Sequence, residues 1–218
     1  MKVLIMAAGY AVRLYPLTKD RPKPLLPVSN KPIVDYIVDK VGKIREIEEI
    51  LVVTNGKFTN HFTDWSRRSS FKNKIRIIND GSLSNDDKLG AVGDMDFVIK
   101  NIKVDDDLLV VAGDNLFDFE LDQFMAFAKS MQPSPSIGLY DIGSIEAVKK
   151  YGMVDVDDNR KIIKFEEKPS QPVNTLIAIC VYYFPRETLG LISEYLDEGN
   201  NFDAPGYYIN WLYQKRDT

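Results

Sequence analysis

Apolar residues fall into short unbroken runs, separated by stretches where they recur every three or four positions. The first run covers residues 3–7, closes at Gly9, and reads as a strand. Residues 32–45 carry Ile33, Ile37, Val41 and Ile44 near helical spacing, with Pro32 suited to a first turn. Residues 50–54 are rich in β-branched side chains and end at Asn55-Gly56, a second strand. A polar helix over 58–69 and a third strand over 74–78 follow. A helix over 88–100 then places Leu89, Val92, Met95 or Asp96, and Ile99 on successive turns. Leu108–Ala112 is a further apolar strand ended by Gly113. Runs that are apolar throughout predict strands covered on both faces, as in a parallel sheet.

Beyond residue 150 the pattern changes. Gly152–Val156 and residues 161–166 flank Asp157-Asp158-Asn159, a hairpin signature. Leu176–Phe184 is a long strand closed by Pro185, and residues 187–196 are helical. The fold class is therefore α/β: a mixed, mostly parallel sheet with helices on both faces and an antiparallel hairpin addition. No repeat and no Pro/Gly/Ser linker divides the chain, so residues 1–218 read as one domain.

Composition narrows the classes of function. A chain of 218 residues with 44% hydrophobic content suits one sizeable core. With 28 basic and 32 acidic residues the net charge is -4, which argues against non-specific nucleic-acid binding. No run is long and apolar enough to span a membrane, and the amino-terminal run is too short for a signal peptide. The expected setting is cytoplasmic. Cys180 is the single cysteine, which excludes an internal disulfide, and its apolar neighbours predict a buried small hydrophobe. His61 is the single histidine and reads as a surface residue, which leaves no His-based metal site or Ser-His-Asp triad.

The segment after the first strand carries candidate chemistry. A loop after a parallel strand opens at the carboxyl end of the sheet, where α/β proteins bind ligands. Ala7, Ala8, Gly9 and Ala11 are small enough for backbone N–H groups to approach a phosphate, and Arg13 adds a guanidinium fork. Neither G-x-G-x-x-G nor a Walker A loop is present, and a tight turn that happens to hold an arginine explains the loop equally well. The proline-rich stretch that follows holds Lys23 between Pro22 and Pro24, so its position is predefined and it could face the same phosphates.

Ala8-Gly9-Tyr10-Ala11-Val12-Arg13-Leu14-Tyr15-Pro16-Leu17-Thr18, followed by Pro22-Lys23-Pro24-Leu25-Leu26-Pro27-Val28, resembles the signature of sugar-phosphate nucleotidyltransferases. The family's usual form is G-x-G-T-R-L-x-P-L-T and then P-K-P-L-L-P-V. Glucose-1-phosphate thymidylyltransferases and mannose-1-phosphate guanylyltransferases belong to it. Ala11 stands where the family has its second glycine and Val12 where it has threonine, so the backbone amides are kept and a hydroxyl contact is lost. The resemblance implies a Rossmann-like nucleotidyltransferase fold that transfers NMP from an NTP to a sugar 1-phosphate, giving NDP-sugar and pyrophosphate. Ala8, Gly9, Tyr10, Ala11 and Val12 would then bind nucleotide, with Arg13 and Lys23 on its phosphates.

Asp114 follows a buried strand at its carboxyl end. A carboxylate there suits Mg²⁺, and a turn or helix-cap aspartate is the plain alternative; the family has a metal-ligating aspartate at this place. Asp105-Asp106-Asp107 precedes the same strand and reads as a solvated turn. In the polar loop at 79–90, Asn85 and Gly90 match a family Q-x-x-x-x-G that reads the nucleobase, although Asn85 is equally an ordinary turn residue. Gly152 resembles the family's sugar-facing glycine. Glu167 and Lys168 match an E-K-P element that presents a Glu to sugar hydroxyls and a Lys to the sugar phosphate. Without the family, those charges are most simply an exposed strand end.

The resemblance further implies a bound NTP, a phosphorylated small molecule and Mg²⁺ as cofactor, with homo-oligomerisation left open. Family members continue to a W-x-D-I-G element whose aspartate is a second metal ligand. Nothing here matches it before Thr218, so the domain is expected to lack its C-terminal end. Three other readings stay open: a cytidylyltransferase acting on an alcohol phosphate such as phosphocholine or inositol phosphate, a non-catalytic nucleotide-binding relative, and a glycosyltransferase using residues 105–107.

Overall fold

Ten strands and seven helices build the chain in this computed structural model, which describes residues 1–216 and Thr218. In order they are β1 (Lys2–Met6), β2 (Pro27–Val28), β3 (Lys31–Pro32), α1 (Ile33–Val41), β4 (Glu49–Thr54), α2 (Thr59–Arg68), β5 (Ile75–Asn79), α3 (Gly90–Ile102) and β6 (Leu108–Ala112). Then come α4 (Leu121–Ser130), β7 (Ser136–Asp141), α5 (Ile145–Val148), β8 (Gly152–Val156), β9 (Ile162–Glu167), β10 (Leu176–Phe184), α6 (Gly190–Asp197) and α7 (Pro205–Lys215).

The short β2 and β3 pair only with each other, and the other eight strands form one sheet. Its parallel half runs β5-β4-β1-β6. Alternate side chains of each strand enter separate cores. Val3, Ile5, Ile50, Val52, Leu109 and Val111 meet α1, α2 and α4, whereas Leu4, Leu51, Val53, Leu108 and Val110 meet α3, α6 and α7. Each side chain buried this way contributes about 1.5–3 kcal/mol. Both faces must be apolar, and that is why these strands are unbroken hydrophobic runs in the sequence. Among the described residues no helix is long and apolar enough to cross a membrane.

The antiparallel half contains the feature that positions the site. Strand β10 pairs with β7 along one edge. Its other edge is divided: residues 181–184 pair with β6, and Ile177 and Ala178 pair with β8. Between them β10 bulges, so that residues 179–181 oppose Gly138 alone. A Cβ on Gly138 would lie 3.1 Å from both Ile179 and Val181 side chains, so the lack of a side chain there gives the bulge room. The sheet therefore forks, with the end of β6 and the start of β8 on either side of Cys180.

Four differences from the sequence pattern have local causes. The first helix stops at Val41 rather than continuing to 45, with its C-cap Gly42 lying under the Phe71 ring, which a Cβ would strike at 2.3 Å; Ile44 is buried outside the helix. The third helix begins at Gly90 rather than 88, and its buried residues are Val92, Met95 and Val98 with Asp94. The predicted 187–196 helix is a 3₁₀ turn at Arg186–Thr188 followed by α6. Helices α4, α5 and α7 and strands β2, β3 and β7 were not assigned from the pattern. In β7 the mid-strand Gly138 masks the alternation, and α7 starts behind Pro205.

Candidate active site

Strand β1 delivers residues 7–14 to the carboxyl edge of the sheet. Buried Asn55, just past β4, donates from Nδ2 to the Ala8 carbonyl at 2.8 Å and accepts the Phe58 amide at 3.0 Å. Ala11 adopts a left-handed conformation (φ 49°), where L side chains are disfavoured. Two donors hold its carbonyl there, the Leu14 amide at 2.9 Å and the buried Thr18 hydroxyl at 2.8 Å. The turn at Val12–Leu14 then places Arg13 at the surface, its guanidinium without a partner among the described residues. Gly9 has no protein atom within 4 Å of where a Cβ would stand, so the space over it is open. Tyr10 turns its ring inward against Phe58, with its hydroxyl 3.4 Å from Ser82 Oγ. Its side chain thus ties the loop to the next wall, and its backbone faces the cleft.

Strand β6 delivers Asp114. Gly113 donates to the Met6 carbonyl at 2.8 Å, and a Cβ on Gly113 would stand 2.8 Å from that oxygen. Glycine is thus what brings Asp114 beside the β1 loop. Its Oδ2 accepts from Lys23 Nζ at 2.6 Å across 91 residues of sequence. Both side chains remain partly exposed, so the pair is worth about 1 kcal/mol or less and can open to a ligand. Asp114 is a hard oxygen donor facing the cleft. Mg²⁺ is commonly held by one or two carboxylates with phosphate oxygens and water, so this donor fits it. Among the described residues no three His, Cys, Asp or Glu side chains converge on one point.

The cleft so begun has a volume of about 850 Å³. Residues 8–14, Lys23 and Asp114 line it, and so do Asn85, Lys88, Gly90, Ala91, Asp94 and Asp203. Asn85 is exposed, on a loop closed by Asp87, which accepts the Leu83 amide and the Ser84 amide and hydroxyl. Those bonds hold the Asp87 carboxyl below its usual value. Gly90 (φ 75°) has its missing side chain replaced by the chain itself: a Cβ would meet the Phe202 carbonyl oxygen at 2.6 Å. The Phe202 and Asp203 carbonyls accept from Val92 at 2.9 Å and Ala91 at 3.3 Å, and so cap α3. Lys88 clamps this contact through Asp203 at 2.9 Å.

A second cleft of about 380 Å³ lies in the fork of the sheet. Gly152, Glu167, Lys150, Tyr151 and Tyr182 line it, and it shares Lys23, Ala112, Asp114, Cys180 and Pro205 with the larger one. Glu167 is held from two sides by glycines. A Cβ on Gly206 would come within 1.8 Å of Glu167 Oε2, and one on Gly152 within 3.2 Å. Lys168 (φ 50°) is 3.5 Å from Glu167 but points outside the lining, whereas Lys150, which the sequence reading missed, faces into it. No sequence signal marks Lys150 beyond its place before Tyr151-Gly152. Cys180 is half-buried rather than sequestered in the core, because the β10 bulge turns it into both clefts. Desolvation still pushes its thiol up to about 12, so it is not a thiolate nucleophile at neutral pH. His61 is exposed.

Residues 105–107 do structural work at the opposite edge of the sheet. Asp105 pairs with Arg186 at 2.6 Å, Asp106 pairs with the amino terminus at 2.6 Å, and Asp107 accepts from Gln132, Tyr183 and the Arg186 amide.

A parallel sheet with a small-residue loop after β1, a carboxylate after β6 and two adjoining clefts at its carboxyl edge places the chain among α/β proteins with their clefts at the ends of parallel strands. The sequence model of the nucleotidyl transferase family matches residues 2–216, and the chain belongs to that family. It is 29% identical over 196 residues to the bifunctional protein GlmU of Methanocaldococcus jannaschii, covering 89% of this chain and 42% of that one. It is 28% identical over 216 residues to a UTP–glucose-1-phosphate uridylyltransferase of Synechocystis, covering 94% and 53%. The chain thus spans about half the length of these curated relatives. A crystal structure of UDP-glucose pyrophosphorylase with UDP-glucose superposes with a TM-score of 0.79 at 20% identity, over 100% of this chain and 88% of that one. At that identity the likeness establishes the fold.

Proposed function

We propose that this protein transfers the NMP unit of a nucleoside triphosphate to a sugar 1-phosphate, giving an NDP-sugar and pyrophosphate. One observation carries the reading. The two clefts share Lys23, Ala112, Asp114, Cys180 and Pro205, so ligands filling both would touch beside one carboxylate and one ammonium. An acceptor phosphate oxygen bonds to the α-phosphorus as the bond to the β-phosphate breaks, and pyrophosphate carries away the bonding electrons. No proton relay or covalent enzyme intermediate is required. Catalysis is positioning plus charge neutralisation.

In this reading backbone amides of residues 8–12 hold the donor phosphates, and Arg13, with no partner among the described residues, holds the departing pyrophosphate. Lys23 leaves Asp114 for the triphosphate. Asp114 would hold Mg²⁺, which supplies charge neutralisation at the phosphate oxygens. Glu167 accepts sugar hydroxyls, while Lys150 from the wall and Lys168 from the rim attract the acceptor phosphate. Relatives named for sugar 1-phosphate substrates favour this acceptor class over alcohol phosphates. The test is pyrophosphate release across a grid of NTPs and acceptors, with and without Mg²⁺. Release with a sugar 1-phosphate is expected; release only with phosphocholine or inositol phosphate, or with none, sinks the proposal.

A further inference from the structure

Asp94 lies one turn into α3, on the same face as Gly90 and close to Ala91, and all three line the larger cleft. It is 5% exposed, and its Oδ1 is buried and has no hydrogen-bond partner among the described residues. Against it packs Asp80, just past β5, which hydrogen-bonds Asp94 and is itself well supplied. Asp80 accepts the Ser82 amide at 2.7 Å and the Ser82 hydroxyl at 2.8 and 3.0 Å. Two carboxyls in contact and out of water cannot both ionise, so the pair keeps one proton between them. Burial and the neighbouring Asp80 push Asp94 up to about 8. What remains free on the pair is acceptor lone pairs. Asp203 adds a third carboxylate nearby, occupied by Lys88.

Position says what those lone pairs meet. Asp80 follows β5, and Asp114 follows β6, three strands away in the order β5-β4-β1-β6. At roughly 4.8 Å per strand this is about 14 Å across the carboxyl edge of the sheet. A nucleotide with its phosphates over the β1 and β6 loops therefore extends its base toward the Asp80–Asp94 pair. We propose that this carboxyl pair selects the donor nucleobase by accepting from an exocyclic amine, with guanine the best match. Guanine offers N1–H beside its amino group, and cytosine and adenine offer an amino group. Uracil and thymine set a carbonyl oxygen on each side of a single N–H, lone pair against lone pair.

This inference rests on the cleft being the nucleotide site, and the experiment separates the two. Calorimetry on the intact protein measures the affinity of GTP, CTP, ATP, UTP, dTTP and inosine triphosphate, which is GTP without its 2-amino group. At least one amino-bearing nucleotide is expected to bind tenfold or more tightly than UTP and dTTP, and GTP more tightly than inosine triphosphate. Asp94→Leu, which removes the acceptor that asparagine would keep, is checked for folding by circular dichroism and should narrow that gap at least tenfold. Tightest binding of UTP or dTTP overturns the base assignment while leaving the nucleotide site intact. An equal loss for every nucleotide in Asp94→Leu also overturns it, since that marks a structural role. Absence of binding by all six removes the nucleotide site itself, and the base assignment with it.

Discussion

Asp114 and Lys23 pair at 2.6 Å, while Arg13 has no partner among the described residues. Removing a preorganised charge of this kind commonly costs ~10²–10³ in turnover. Arg13→Ala and Asp114→Ala are each expected to lose that much in a steady-state pyrophosphate assay, and near-native turnover in either variant would remove its role. Ala11 makes a different argument. Its left-handed backbone costs about 1–2 kcal/mol for an L residue, while glycine loses only about 0.5–1 kcal/mol in backbone freedom. Ala11→Gly should therefore stabilise the fold by up to about 1 kcal/mol in urea denaturation; a loss of stability would show that the φ of 49° is not strained. The family motif has glycine at this place, and the structure supplies the reason.

Elements meet at glycines around the fork. Helix α7 approaches β9 so closely at Gly206 that an added methyl would overlap the Glu167 carboxylate. Gly206→Ala must displace Glu167, the easier of the two to move. The expected result is a KM for the sugar 1-phosphate raised about tenfold or more, with donor KM little changed. An unchanged acceptor KM would mean that Glu167 does not touch the sugar. At the β8 side, Lys150 faces the cleft and Lys168 does not. Lys150→Ala should raise acceptor KM more than Lys168→Ala does, and the reverse order would show that Lys168 swings inward on binding.

Across the whole molecule, stability is set in part by the buried acidic contact between Asp80 at the end of β5 and Asp94 on α3. Asp94 is raised to about 8 by burial, by Asp80 and by Asp203, against a smaller opposing effect of Lys88, and Asp80 is raised as well. A carboxyl whose pKa is higher in the folded than in the unfolded protein binds more protons when folded. Folding stability then falls as pH rises from about 4 toward 8. Melting temperature should decline over that range for this reason, and Asp94→Asn should flatten the decline. A variant with the native slope would show that another group is responsible.

The alternation that separates strands from helices is local, so the parallel half of the sheet was legible in the sequence. The runs at Leu108–Ala112 and Leu176–Phe184 matched their strands residue for residue. That the loop at residues 8–14 and Asp114 share one edge was legible too, because a loop after a parallel strand opens at the carboxyl edge. Contacts between segments distant in sequence were not legible. Asn55 holding Ala8, Phe202 capping α3, Gly206 cradling Glu167, Asp80 against Asp94, and the bulge that turns Cys180 into the clefts all join such segments. Sequence alone determined the parallel strands and the strand ends that line the clefts, since those depend on periodicity over a few residues. Only the tertiary structure decided which side chains face one another across the fork, because that depends on packing distances to which neighbouring residues in the chain give no clue.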